Sequence, residues 1–201
     1  MALVLDGGAN TNTNLVINSA NITDGSIVNA DINASAAIAS SKISGSLGKI
    51  LQVVSATKTD HFSTTSSSLT EITGLNVTIT PSATTSKIYL VIDISVGGET
   101  SYICFNIKRD STLIAVTTGV DGNDSRHQGT FGQTVSGNST LSHSGFNFLD
   151  TPSTTSAITY KVFTVSTYNT NPVSINRAHA TGNAQYNAGG SSTITAVEVG
   201  A

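Results

Sequence analysis

This sequence is bounded first by its scarcities. It holds one cysteine, one methionine, no tryptophan and three prolines in 201 residues. A lone Cys104 excludes any disulfide within the chain, so stability must come from burial and from association. Charged residues make up 10%, against roughly 25% in an average soluble domain. The net charge of −3 gives no basic footprint for nucleic acid. No apolar run approaches the ~18 residues of a membrane span, so no membrane insertion is expected. The opening MALVLDGGAN lacks the basic segment of a signal peptide. Synthesis in a reducing compartment follows.

Ser, Thr, Asn and Gly fill the space that Lys and Glu usually occupy, and Val and Ile runs persist among them. That combination is not a disordered composition. It suits a pleated surface, where β-branched side chains pack well.

The chain divides near SGSLGK, Ser44 to Lys49. Beyond it, strand signals repeat. KIYLVIDISV places Ile88, Leu90, Ile92, Ile94 and Val96 on one face, and Tyr89, Val91, Asp93 and Ser95 on the other. Such alternation marks a half-buried strand. YICFNIKRD does the same with Ile103, Phe105 and Ile107 inward, and RDST turns it into LIAVTTG as a hairpin. ILQVVSAT, LNVTIT, TFGQTV, HSGFNFLD, AITYKVFTVSTY, VSINRAH and STITAVEV complete the set. PSATTS and TPSTTS are turn-rich breaks. About eight to ten strands without a helix predict an all-β jelly roll or β-sandwich over residues 48–201.

Before the division the pattern changes. Ile22, Ile27 and Ile32 recur every fifth residue, then the series slips to Ile38 and Ile43. Neither helix nor strand has that period. Four pentads make too short a β-helix to bury its own interior. An extended stem over residues 20–47 fits better, with its isoleucines buried by other copies of the chain. A flexible linker is the alternative. Residues 1–19 form a separate attachment segment, in which Ala2, Leu3, Val4 and Leu5 could add a short strand to a partner's sheet edge.

ITDGSIVNADINASAAIASSKISG resembles a segment of tail-fibre and related virion proteins of tailed phages. GKILQVVSATKTDHFSTTSSSLTEITGLNVTITPSATTSKIYLVIDISVGG resembles the β domain that follows it there, and FLDTPSTTSAITYKV and SSTITAVEV match later parts. The resemblance implies an intertwined homotrimer with a jelly-roll head on a slender stem, made in the host cytoplasm and carried on the virion. It implies two placements. One is a short tail fibre whose head binds a host surface glycan or protein. The other is a capsid decoration protein. The N-terminus would dock on tail, baseplate or capsid. Exposed loops would bind the receptor through Asp121, Asn123, Asp124, Arg126 and His127, or through Asn183, Gln185 and Tyr186.

No cofactor, metal or catalytic residue is expected. His61, His127, His143 and His179 have no second ligand at metal spacing and read as loop or surface residues. DGNDS imitates the start of a calcium loop, but Gly132 stands where the closing glutamate would be. Asp93, Glu99 and Asp110 read as lying near strand ends, where a carboxylate pair for glycoside hydrolysis is the minor alternative. Cys104 has no base beside it in sequence and reads as a small residue for a subunit interface.

Overall fold

The computed structural model describes residues 22–23, 27–33, 35–36, 50–98, 101–116, 129–135, 137, 140–166, 171–179 and 188–200. Contacts divide the chain into Met1–Leu47 and Gly48–Ala201. In the first unit the described residues hold one short 3-10 turn, Asn29–Asp31. It is closed by Asp31, whose carboxylate accepts from the Val28 amide at 2.9 Å. Ile22, Ile27 and Ile32 stand exposed in the single chain. Ile38, Ile43, Ala2, Leu3, Val4 and Leu5 lie outside the described residues.

Among its described residues the second unit contains eleven strands: β1 Ile50–Lys58, β2 Phe62–Thr64, β3 Thr70–Ile79, β4 Lys87–Gly98, β5 Ser101–Arg109, β6 Thr112–Ile114, β7 Phe131–Val135, β8 Leu141–Asp150, β9 Ile158–Ser166, β10 Val173–Ile175 and β11 Ser192–Val199. They form two curled sheets. Sheet A runs β1-β11-β4-β10-β2, with β8 on the other side of β4. Sheet B runs β3-β9-β5-β6, with β7 also against β5.

The pairing is nested. β1 pairs with β11, β3 with β9, β4 with β8 and β5 with β7. The outermost long strands meet first, and the pairing works inward to the middle of the chain. That is the winding of a jelly roll. The short strands are additions: β6 folds back on β5, while β10 and β2 extend sheet A from the far end of β4. The three prolines stand outside the ladders, Pro81 after β3, Pro152 after β8 and Pro172 before β10, where no ladder needs their missing amide.

The core lies between the sheets. Ile88, Leu90, Ile92, Ile94 and Val96 of β4 face Ile103, Phe105 and Ile107 of β5, all essentially inaccessible. Phe105, Phe131, Phe146 and Phe148 stack in series across both sheets, with centroids 5.0, 5.3 and 6.3 Å apart. A buried polar clasp also joins the sheets. Asp150 of β8 accepts both carboxylate contacts from Arg109 Nη1, at 2.9 and 2.8 Å, and a third from the Tyr160 hydroxyl at 2.6 Å. Burial and then that carboxylate push the Tyr160 phenol far above its ordinary value.

The expected hairpin after β5 forms through Asp110 and Ser111, with Asp110 at φ 53°. A short polar side chain tolerates this left-handed conformation. The following strand is shorter than LIAVTTG suggests, because Ala115 turns to φ 52° immediately after Ile114. Asp93 lies in mid-strand rather than near an end. β2 has no counterpart among the expected strands.

Candidate functional site

The two sheets present different outer faces. On sheet B, Lys108 lies over the Phe163 ring at 4.5 Å, and Lys161 pairs with Glu71 at 3.1 Å. Thr78 and Thr159 share a hydrogen bond beside them. This is a solvent-facing surface. A shallow depression of about 250 Å³ over the paired strands β5 and β7 is lined by Tyr102, Ile103, Cys104, Gly132, Gln133 and Thr134. Cys104 is half-buried there, and burial pushes its thiol above the ordinary value.

The outer face of sheet A carries an apolar row among polar ones. Strand register aligns Val53 of β1 with Val197 of β11, Val197 with Tyr89 of β4, and Tyr89 with Leu149 of β8. One apolar row therefore crosses four adjacent strands. The next row runs Ser55, Thr195, Val91, Asn147, and the next Thr57, Thr193, Asp93, Gly145. A bulge in β1 between Ile50 and Gln52 puts an extra residue against β11. Ile50 is 66% exposed, Leu51 52%, Val53 59% and Leu149 47%. Charged side chains are sparse: Lys87 and Asp93 stand on this side of β4, with His143 of β8 beside them.

At the rim of this face the register assembles Ser95, His143 and Asp93. Ser95 Oγ lies 3.4 Å from His143 Nε2, and His143 Nδ1 lies 3.3 Å from Asp93 Oδ2. The order is that of a nucleophile, a base and an orienting acid. The surroundings give it another role. Ser95 is fully buried, and its hydroxyl donates to the Ser191 carbonyl at 2.8 Å. The backbone of Gly190 lies so close that a Cβ there would come within 2.5 Å of Ser95 Oγ. An attacking atom needs open space toward a substrate, and this one is roofed. The cluster ties β4, β8 and the approach to β11 together.

That approach is tied further by Asn176, at φ 65° after β10. Its amide donates to the Lys58 and Asp60 carbonyls at 2.8 and 3.0 Å, and its oxygen accepts from Ser192 Oγ at 2.6 Å. Ser192 Oγ also accepts from the Ser95 amide at 3.0 Å. At the opposite end of β11, Glu198 is wholly buried. It accepts from the Ser82 amide and hydroxyl at 2.7 and 2.6 Å and from Gln52 Nε2 at 2.6 Å. Burial alone would raise this carboxyl; the hydrogen-bonding groups around it, Ser82 first, then Ser86 and Gln52, outweigh it and hold it at about 2.

The remaining sequence candidates separate as follows. His61 and His143 are exposed and His179 is half-buried. Burial first, then the charges of Arg177 and Lys58, hold His61 below the ordinary imidazole value. Among the described residues no three His, Cys, Asp or Glu side chains gather as a metal site. Nor do those residues include a helix long and apolar enough to cross a membrane. Asp121, Asn123, Asp124, Arg126, His127, Asn183, Gln185 and Tyr186 lie outside the described residues. The polar clasps and the apolar rows were invisible in sequence, because each needs the register between strands far apart in the chain.

No protein-family profile and no curated protein matches this chain. Among solved structures, it is similar to infectious bursal disease virus of the Gx strain at 17% identity, over 73% of this chain and 37% of that one, with a TM-score of 0.30. The Gt strain gives 14% identity over 74% and 36%, with a TM-score of 0.32. The chain thus spans little over a third of either viral chain, and its jelly-roll assignment rests on its own strand register.

Proposed function

We propose that this chain is a non-enzymatic structural protein of a phage virion, a short homotrimeric tail fibre whose β head binds the host surface. The observation that carries the reading is the contrast between the two units. The described strands of the second unit bury a common core in a jelly roll, whereas Ile22, Ile27 and Ile32 are 45%, 56% and 41% exposed. Fully burying one isoleucine contributes roughly 1.5–3 kcal/mol. A segment that leaves these side chains in water gains that stabilisation only from other chains. Three copies around one axis supply it. The resemblance of residues 20–199 to phage fibre proteins points to the same arrangement, with residues 1–19 docking on the particle.

Two experiments test this. The first locates the protein in intact particles by cryo-electron microscopy. A few trimers around the tail support the fibre; copies spread over the head lattice overturn it in favour of a capsid decoration protein. The second replaces Ile22, Ile27 and Ile32 with Ser. Melting of the assembled chain should fall while the β spectrum of the head persists. Unchanged melting of the assembly would refute the buried stem.

A further inference from the structure

We infer that the outer face of sheet A is where copies of this chain meet, packed around the row Val53, Val197, Tyr89 and Leu149. The inference rests on the assembly proposed above and names the surface of the head that carries it.

Three observations lead there. The first is extent. Four strands at about 4.8 Å spacing, each contributing about seven residues at ~3.4 Å rise, give a footprint of about 19 by 24 Å. That is about 450 Å² per copy before side-chain relief is counted. Stable interfaces begin near ~1,000 Å² in total, so the stem contacts proposed above add to this face. Within that footprint and along its β1 edge, Ile50, Leu51, Val53, Tyr89, Val91 and Leu149 are the exposed apolar side chains, beside rows of Ser, Thr and Asn, and an exposed cluster of this kind marks an interaction site.

The second is charge. The central rows hold Val, Tyr, Leu, Ser, Thr and Asn, and the one carboxylate among them, Asp93, has His143 beside it. Such a face packs against other copies with few charges to oppose one another, Lys87 standing at its end. The third is the contrast with sheet B, whose outer face carries Lys108, Lys161 and Glu71 in water-compatible pairs. Sheet B exposes Tyr102 and Leu113 on separate strands, whereas the exposed apolar side chains of sheet A adjoin one another. The exposed edge of β1, with Ile50 and Leu51, extends the apolar area beyond the face itself.

The test uses the full chain with Val53→Lys and Leu149→Lys together. Both side chains are exposed in the single chain, so the head can fold with lysine there. Light scattering should show the assembly falling to the 20.5 kDa monomer, with the far-ultraviolet β spectrum retained. Leu113→Lys, on an exposed position of sheet B, should leave the assembly intact. A wild-type measurement stands beside the variants: hydroxyl-radical labelling of Tyr89 should speed up several-fold on dilution through dissociation, while Tyr102 labelling stays constant. The inference is overturned by a monomeric wild type, by an unchanged mass in the double variant, or by a Tyr89 rate independent of concentration. If Ile22, Ile27 and Ile32→Ser abolishes association and the double lysine variant does not, the stem alone assembles the chain. The virion reading then stands and this inference falls.

Discussion

Replacing Glu198 by Gln should weaken the head in a way that depends on pH. The buried carboxylate receives three hydrogen bonds from two residues, Ser82 and Gln52. Gln52 Nε2 also donates to the Thr80 carbonyl at 2.6 Å. The cluster thereby pins β11 to the crossover between β3 and β4. Glutamine keeps the size but has one acceptor oxygen, and its own amide must face a donor. The magnitude follows from the displacement of the carboxyl from 4.5 to about 2. At ~1.4 kcal/mol per pH unit this is about 3 kcal/mol at most. Exposed Ser82 admits some screening, which reduces the expectation to roughly 2 kcal/mol.

The sign is fixed by the direction of the shift. A depressed carboxyl stabilises the fold above its unfolded value and loses that contribution as pH falls toward the folded one. Urea unfolding at fixed protein concentration should show Glu198→Gln less stable by roughly 2 kcal/mol at pH 7. The gap should close progressively between about pH 4.5 and 2. A gap below ~0.5 kcal/mol at neutral pH, within the range of ordinary surface changes, would refute the reasoning. So would a gap that persists undiminished at the acid end.

Two further outcomes follow from the clasp between the sheets and from the thiol. Tyr160→Phe removes the 2.6 Å donor to Asp150 and should cost about 1–3 kcal/mol, read as a lower urea midpoint; an unmoved midpoint would show that Arg109 alone satisfies the carboxylate. Cys104 should react with a disulfide reagent at pH 8 more slowly in the folded chain than in denaturant, since burial raises its thiol. Equal rates would contradict the half-buried position.

Much of the head was legible because β4 and β5 obey strict alternation. Ile88 through Val96 and Ile103 through Ile107 took the inward face that their spacing requires. The strand inventory erred where local signals are weakest: β2 is three residues long, too short for any period. The surface was half legible. Tyr89 and Val91 could be placed on the outer side of β4, but their continuation into Val53, Val197 and Leu149 depends on register across strands far apart in the chain. The same holds for Ser95 and His143, which are 48 residues apart. Glu198 sits in a plain alternating VEV, and nothing near it in sequence announces Ser82 as its partner.

The nested pairing has a consequence for synthesis. β11, the last strand of the head to leave the ribosome, is a central strand, with β1 and β4 as its two neighbours. Until it arrives, β1 has no ladder partner and β4 presents an open edge beside an apolar core. Long-range closure of this kind is slow and exposes strand edges while it waits. The head therefore completes only once residues 192–199 have emerged, and removing them leaves a gap through the middle of sheet A rather than a frayed end. Such a chain should aggregate on expression instead of yielding a smaller domain.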